Sequence, residues 1–478
     1  MTKHFSIFSV FFALPILLLP AVSLYAQAIP AVASSQALTL AQAEALAEQH
    51  NIQIQQSGYQ IGSARANLSS QRAPLNPTIN YANLNNLVAP TNGFGTLNNY
   101  TAYVTLETNG AQRYRTNQAR AQLQGAVADA RVTRLIIRQA VADAYSDLQV
   151  AKSLLQNERD VYASTAEFAD LTQKQFALGA APESNAIQAK IALTQEQVNL
   201  SGAITQVRTA QAALNVLLGR QPSSPIDASQ PLGYNAVVLP EQARLLAQAL
   251  EARPEIQSAL AAVSAAQAGI GLEKSQYFPN VILARPLDVG PPQIGFILPL
   301  DLGSIRGAIS KGQEDVKVQQ TQTAQARLNV AQDVETAYLS LTQSHQAVTL
   351  YQQGILPQSA SLLSRVTQGY TLGASTILDV INAQQTYRTT RNSYYAAIGS
   401  YNHAVDQLGR AVGAPAETVI SAPPGSPVPQ SSISPATGPA PGAPRVPASV
   451  VPASVVPASV VPASVVPASV TPPAAAPK

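Results

Sequence analysis

The chain has 478 residues, room for two or three ordinary domains, but only 12% of them are charged, against about 25% in a typical soluble protein. It has no Cys, which excludes a disulfide framework, a thiolate metal site, a thiol nucleophile and a lipidated N-terminal Cys. The net charge of +3, with no basic cluster in the sequence, gives no ground for nucleic-acid binding.

In chain order, residues 1–28 read as a secretory signal. Lys3 and His4 make a basic start, Phe5 to Leu19 an apolar run, and Ala26-Gln27-Ala28 a small-residue cleavage site. A membrane anchor is the other reading of that run, and Pro15, Pro20 and the cleavage-like site argue against it. No later stretch approaches the roughly 18 apolar residues of a spanning helix, so any membrane crossing must be made by strands.

Thr39 with Gln42 forms a capping box that opens a helix running to about Gln71, where Pro74 and Pro77 stop it. Between Thr78 and Thr108 the character changes. Ala102, Val104 and Leu106 alternate with Thr101, Tyr103 and Thr105, half of a hairpin whose loop holds Asn92-Gly93-Phe94-Gly95. From Gly110 to Leu178 the pattern is helical without a proline, roughly 100 Å of helix. A turn at Gly179 to Pro182 leads to a helix from Glu183 to Leu218, closed by Gly219, and residues 221–240 read as a linker.

The order then repeats. A helix starts near Pro254 and runs to Ser275, a hairpin spans Pro279 to Gly303, a long helix runs from Ser304 to Thr371, and a last helix from Thr376 to Val412 follows a turn at Gly373. The repetition reaches single residues. Ile137, Val141, Ala144, Tyr145 and Leu148 recur as Val330, Val334, Ala337, Tyr338 and Leu341, one apolar stripe of a helix each time. Phe176-Ala-Leu-Gly179 recurs as Tyr370-Thr-Leu-Gly373, and Leu217-Leu-Gly219 as Ala411-Val-Gly413. Residues 37–220 and 241–414 are therefore read as two copies of one unit. Residues 421–478 carry five tandem Val-Pro-Ala-Ser-Val motifs and only two charges, Arg445 and Lys478. This tail should be extended and without a core, either a spacer or a tolerated repeat expansion.

Four strands leave two open edges, which lipid forbids. Three chains would supply twelve, enough to close a barrel. Tyr81, Phe94, Tyr100, Tyr103, Tyr277, Phe278 and Phe296 could then form its aromatic girdles. A small soluble sheet is the alternative, favoured by imperfect alternation and by Pro286, Pro291 and Pro292. Catalysis finds no residue set. His50, His345 and His403 stand apart on helical stretches without metal-ligand spacing, His4 lies in the signal, and there is no phosphate-binding Gly loop or nucleophile elbow. No enzyme activity, cofactor or metal is expected.

The stretch from Tyr370 to Gln385 and its fainter copy from Phe176 to Lys190, with Leu38-Thr-Leu40, Arg253-Pro-Glu-Ile256 and Leu298-Pro-Leu-Asp-Leu-Gly303, resembles the outer-membrane efflux protein family, the TolC-like outer-membrane factors, over about residues 37–414. The resemblance implies a mainly α protein with membrane β: a homotrimeric 12-stranded transmembrane β-barrel, four strands per chain, continued by a long periplasmic α-helical barrel. It implies the outer membrane of a Gram-negative bacterium, and a periplasmic adaptor and an inner-membrane transporter as partners. The protein would be a passive exit duct for small molecules such as drugs or metals; a type I protein-secretion duct and a periplasmic helical scaffold are the other readings. Adaptor contacts are implied at the hairpin tips Leu178, Gly179, Ala180 and Leu372, Gly373, Ala374, where Gly also has a purely structural reason to stand in a tight turn. The periplasmic constriction is implied at Asp379 and Asn382, with Ser375 where the typical member carries an Arg that locks the closed state. The first copy offers only Asn185 and Gln188 at the acidic positions.

Overall fold

The structure is a computed structural model that describes residues 37–74, 78–83, 98–236, 241–286, 292–297 and 300–414. The signal segment, Phe94 and its loop, and the tail 421–478 lie outside these residues.

The first half of the chain runs β1 (Ala37–Leu38), α1 (Leu40–His50), α2 (Ile52–Arg72), β2 (Thr78–Asn83), β3 (Asn98–Leu106), α3 (Ala111–Ala177) and α4 (Glu183–Leu217). The second runs β4 (Asp227–Ala228), α5 (Gln242–Ala252), α6 (Pro254–Ser275), β5 (Asn280–Pro286), β6 (Gln293–Ile297), α7 (Leu302–Leu350), α8 (Leu356–Thr371) and α9 (Ile377–Val412). The 67 residues of α3 extend about 100 Å.

The capping box at Thr39 forms as read: Thr39 Oγ1 accepts from Gln42 N, and Gln42 Oε1 accepts from Thr39 N. The helix that follows is nevertheless not continuous to Gln71. Asn51 leaves the helical region and becomes the N-cap of α2, its Oδ1 accepting from Gln53 N and Ile54 N. The long helix of the second half is interrupted too. Pro357 has no N–H to donate, and the turn Tyr351–Ile355 widens to a π-helix in which Leu356 N donates to Tyr351 O, five residues back. The helix resumes as α8, so the proline widens one turn instead of ending the helix. Two elements escaped the sequence reading. The amphipathic α5 precedes Pro254, and the two-residue strands β1 and β4 pair in parallel, Ala37 with Asp227 and Leu38 with Ala228. Residues within 221–240 thus strap the long helices, with Ile226 and Ala228 buried.

The duplicated stripe is the core, formed twice. Ile137, Val141, Ala144, Tyr145 and Leu148 of α3 are buried against Ala43 and Ala47 of α1, and against Leu214 and Leu218 at the end of α4. Val330, Val334, Ala337 and Leu341 of α7 are buried against Leu245 and Ala249 of α5 and against Ile398, Tyr401 and Leu408 of α9. Tyr338 departs from its counterpart Tyr145 and is only partly buried.

The repeats join in one antiparallel sheet of order β2-β3-β5-β6. Its central pairing crosses between them, with Leu106 opposite Val281 and Thr101 opposite Pro286. Strands β2 and β6 each keep an unpaired edge. Pro286 lies at the end of β5, past its last pair with β6, Ala284 with Gln293, so only β3 pairs with it. No helix among the described residues is long and apolar enough to cross a membrane.

Candidate functional site

The two helical hairpins turn by the same device. Helix α3 ends in a Schellman motif: Gly179 N donates to Phe176 O at 2.9 Å and Ala180 N to Gln175 O at 2.8 Å. Helix α8 repeats it, with Gly373 N on Tyr370 O at 3.1 Å and Ala374 N on Gly369 O at 2.8 Å. Both glycines are left-handed, φ 72° and 76°, which is where Gly alone costs little. Leu178 and Leu372 stand at the apices, 84% and 77% exposed. Such exposure at the same position of both repeats marks an apolar surface that the single chain leaves uncovered.

The tips lie side by side. Phe168 of α3 meets Tyr370 of α8 edge-on at 5.3 Å between ring centroids, and Tyr370 Oη donates to Gln175 Oε1 at 3.2 Å. Ala189, Ile377 and Val380 bury themselves in the same cluster. Farther from the apices a polar clamp binds α9 to the first hairpin. Arg388 lies 3.2 Å from Glu196 and 3.7 Å from Glu158, Asn392 Nδ2 donates to Glu158 Oε1 at 2.7 Å, and Asn157 Nδ2 to Asn392 Oδ1 at 2.7 Å. Arg391 pairs with Asp160 at 3.5 Å and lies over the rings of Tyr387 and Tyr395. The partners of Arg388, Asn392 and Asp160 are far apart in the sequence, and no local pattern announces them.

Among the residues read as a constriction, Asp379 has a local structural duty. It is the third residue of α9, in a capping box with Thr376: Thr376 Oγ1 accepts from Asp379 N at 3.2 Å, and Asp379 Oδ2 accepts from Thr376 N at 2.8 Å and from Thr376 Oγ1 at 2.7 Å. The hydroxyl and then the backbone N–H of Thr376 hold its carboxyl below the ordinary Asp range, so it stays ionised into acid. Asp379 and Asn382 are exposed, and Ser375 is half-buried beside Gly369. Among the described residues Asp379 forms no ion pair.

A second charged cluster lies where α3 meets α9. His403 is less solitary than its sequence setting suggests: its Nε2 is 3.1 Å from Asp147 Oδ1, and the Asp147 contact raises its pKa. Asp406, on the same helix, is pushed up to about 7, by burial first and then by Asp143; Glu44 adds to the rise, while His403 and Arg138 oppose it. Burial raises Asp143 as well. A carboxyl raised on folding binds more protons in the native state than in the unfolded one. Stability is therefore expected to fall as pH rises from about 4, the unfolded value, to about 7. His403, also raised, adds to the same trend from about pH 6.5 upward. Asp406→Asn should remove most of this slope and stabilise the protein at pH 8 by on the order of 2 kcal/mol. Denaturant unfolding at pH 5 and pH 8 measures it, and an unchanged slope would refute it.

No group of three or more His, Asp or Glu side chains among the described residues is placed to hold a metal ion. The arrangement pairs helices and presents tips.

Comparison with known proteins places this architecture. The profile of a family described as outer membrane efflux protein matches residues 33–220 and 292–414. A cobalt-zinc-cadmium resistance protein of Cupriavidus metallidurans, CzcC, is 23% identical over 79% of this chain and 90% of its own. A probable efflux pump outer membrane protein of Pseudomonas putida, TtgC, is 26% identical over 53% of this chain and 56% of its own. Among solved structures, CusC superposes with a TM-score of 0.66 at 19% identity over 79% of this chain and 92% of its own. VceC of Vibrio cholerae does so with a TM-score of 0.65 at 19% identity over 79% and 96%.

Proposed function

The chain belongs to the outer membrane efflux protein family, and from that premise we propose that three copies form the outer-membrane exit duct of a tripartite efflux system. The carrying observation is the sheet β2-β3-β5-β6 with two open edges, set on two helical hairpins, the long arm α3 alone extending about 100 Å. Three such sheets joined edge to edge give twelve strands and no free edge, the only form in which strands survive in lipid. Tyr277 and Phe278, exposed immediately before β5, and Phe296, exposed on β6, suit the girdle of such a barrel.

The helices continue the barrel as a periplasmic tunnel, and the tips Leu178-Gly179-Ala180 and Leu372-Gly373-Ala374 form the surface a periplasmic adaptor covers. The inner-membrane transporter supplies the energy. The duct is passive and performs no catalysis, in keeping with a family of channels. The cargo is small molecules: the relatives carry names of metal resistance and of efflux pumps. A panel of metals, antibiotics, dyes and detergents on a deletion strain and its complemented parent tests this. Sensitisation reversed by complementation is the expected result, and its breadth separates metal from multidrug export. No change in sensitivity together with loss of a secreted protein would overturn it in favour of protein secretion.

Asp379 of each copy forms an acidic ring at the periplasmic constriction, flanked by Asn382 and by Ser375 in place of a basic lock. The capping box dictates the variant for the test. Asp379→Ala would also loosen the start of α9, whereas Asp379→Asn keeps an acceptor for Thr376 N and removes only the charge. In planar bilayers Asp379→Asn is expected to lower cation selectivity and abolish block by divalent cations. Unchanged selectivity and block would remove Asp379 from the constriction.

A further inference from the structure

We propose that an arginine-lined cleft at the membrane-proximal end of α2 and α3 binds the phosphate headgroup of an anionic phospholipid, an assignment that rests on the barrel reading above. The open cleft, about 520 Å³, is lined by Arg72, Gln112, Arg113, Thr116, Asn117 and Arg120. Gln112 Nε2 donates to Arg72 O at 2.6 Å, and Thr116 Oγ1 donates to Gln71 O at 3.2 Å. These bonds tie the end of α2 to the start of α3 and hold the cleft's two walls together.

The three arginines are exposed and have no carboxylate partner among the described residues. Their neighbour Arg115 differs, being paired with Glu107 at 2.6 Å. Asn117 Oδ1 accepts from Arg120 Nη1 at 3.1 Å and so holds one guanidinium at the cleft. The cleft begins in the first turn of α3, where Asn109 Oδ1 accepts from Ala111 N at 3.0 Å. Three arginines lining one cleft without a carboxylate partner suit a phosphate ester, whose free oxygens accept charge-assisted N–H bonds.

Position selects lipid over a soluble anion. Arg72 is the last residue of α2, six before β2, and Arg113 follows the end of β3 by seven. At the same level Thr108 Oγ1 donates to Pro279 O, linking the ends of the two hairpins. Phe278 and Leu300, adjoining β5 and β6, are 63% and 86% exposed there. Exposed apolar side chains and unpaired arginines near the strand ends suit a bilayer interface. The cleft also faces outward. Arg113, Asn117 and Arg120 fall at i, i+4 and i+7, and the stripe continues about five more turns along α3 to Arg138, which pairs with Glu44 of α1 at 2.9 Å. Helix α1 is a second layer on that face. In the barrel reading above, such a layer lies outside the tunnel wall, since inside it would fill the lumen.

The test is native mass spectrometry of the full-length protein in neutral detergent. It is incubated with phosphatidylglycerol or with phosphatidylcholine of the same chains, with and without excess inorganic phosphate at constant ionic strength. The expected result is preferential retention of phosphatidylglycerol, reduced about tenfold in Arg113→Gln/Arg120→Gln and unchanged in Arg365→Gln, an exposed arginine of α8. Equal retention by the double variant, or equal retention of the two lipids, overturns the proposal. Displacement of phosphatidylglycerol by inorganic phosphate overturns the lipid assignment in favour of a soluble-anion site. The same spectra report the oligomer: a trimer without selective lipid defeats this inference alone, whereas absence of a trimer defeats the barrel reading whatever lipid is retained.

Discussion

Arg253→Met is expected to destabilise the protein by about 3 kcal/mol or more, the largest effect of any single side-chain truncation considered. Arg253 is 3% exposed, in the break between α5 and α6. Its Nη1 donates to Arg410 O at 3.2 Å and Ala411 O at 3.0 Å, capping the last carbonyls of α9. Its other nitrogens grip both oxygens of Glu255, each at 2.8 Å, and Nη2 reaches Asp333 of α7 at 3.1 Å. One guanidinium thus joins α6, α7 and α9. Methionine keeps the apolar stem but leaves two carbonyls and two carboxylates without their donor. Asp333→Asn should cost far less, about 1 kcal/mol, because Asp333 is 38% exposed and solvent screens the pair. Asn51 is the first repeat's answer to the same problem: its Nδ2 donates to Leu217 O at 2.8 Å at the end of α4. Urea unfolding at fixed protein concentration measures these differences. A loss within about 0.5 kcal/mol for Arg253→Met would show that water can replace the guanidinium.

Gly219→Ala is the second large effect. Gly219 ends α4 at φ 68°, and a Cβ there would lie 2.3 Å from His50 O and 2.9 Å from His50 C. The obstacle is backbone at the α1–α2 break and cannot rotate away. Left-handed strain of about 1–2 kcal/mol adds to overpacking of about 1–3 kcal/mol. Three internal controls have the same conformation without the clash. Gly413, the repeat counterpart at φ 81°, has its nearest neighbour at 3.5 Å. Gly179 and Gly373 at the tips face open space. Alanine at these three should cost only the strain, about 1–2 kcal/mol. The expected order is therefore Gly219 worst and the rest alike; a Gly413→Ala as damaging as Gly219→Ala would contradict it. Gly179→Ala and Gly373→Ala also serve function. If they fold yet fail to complement the deletion strain, tip shape itself is required for export.

Much of the architecture was legible in the chain alone because it depends on short-range chemistry. Capping at Thr39, the glycines at 179, 219, 373 and 413, and the stripes at Ile137–Leu148 and Val330–Leu341 are local patterns, and each sits where read. Duplication repeated the stripe and the helix-ending glycines. Even Thr376 with Asp379 is a capping pattern visible in sequence, although its helix-starting duty is distinct from the ring proposed for the same carboxylate.

Contacts between distant segments were not legible. Asn51 and Arg253 look alike neither in size nor in charge, yet both occupy a helix break and cap the helix that ends beside it. Only the folded chain brings Leu217 and Ala411 to them. The clamp at Arg388, the cluster of His403 with Asp147 and the strap β1–β4 likewise depend on residues that share no helix face in sequence. Periodicity reports which side of a helix avoids water, because burial repeats with the turn. It carries no information on which remote side chain completes a hydrogen bond or leaves a charge unpaired, since that is decided by where the tertiary fold places the other element.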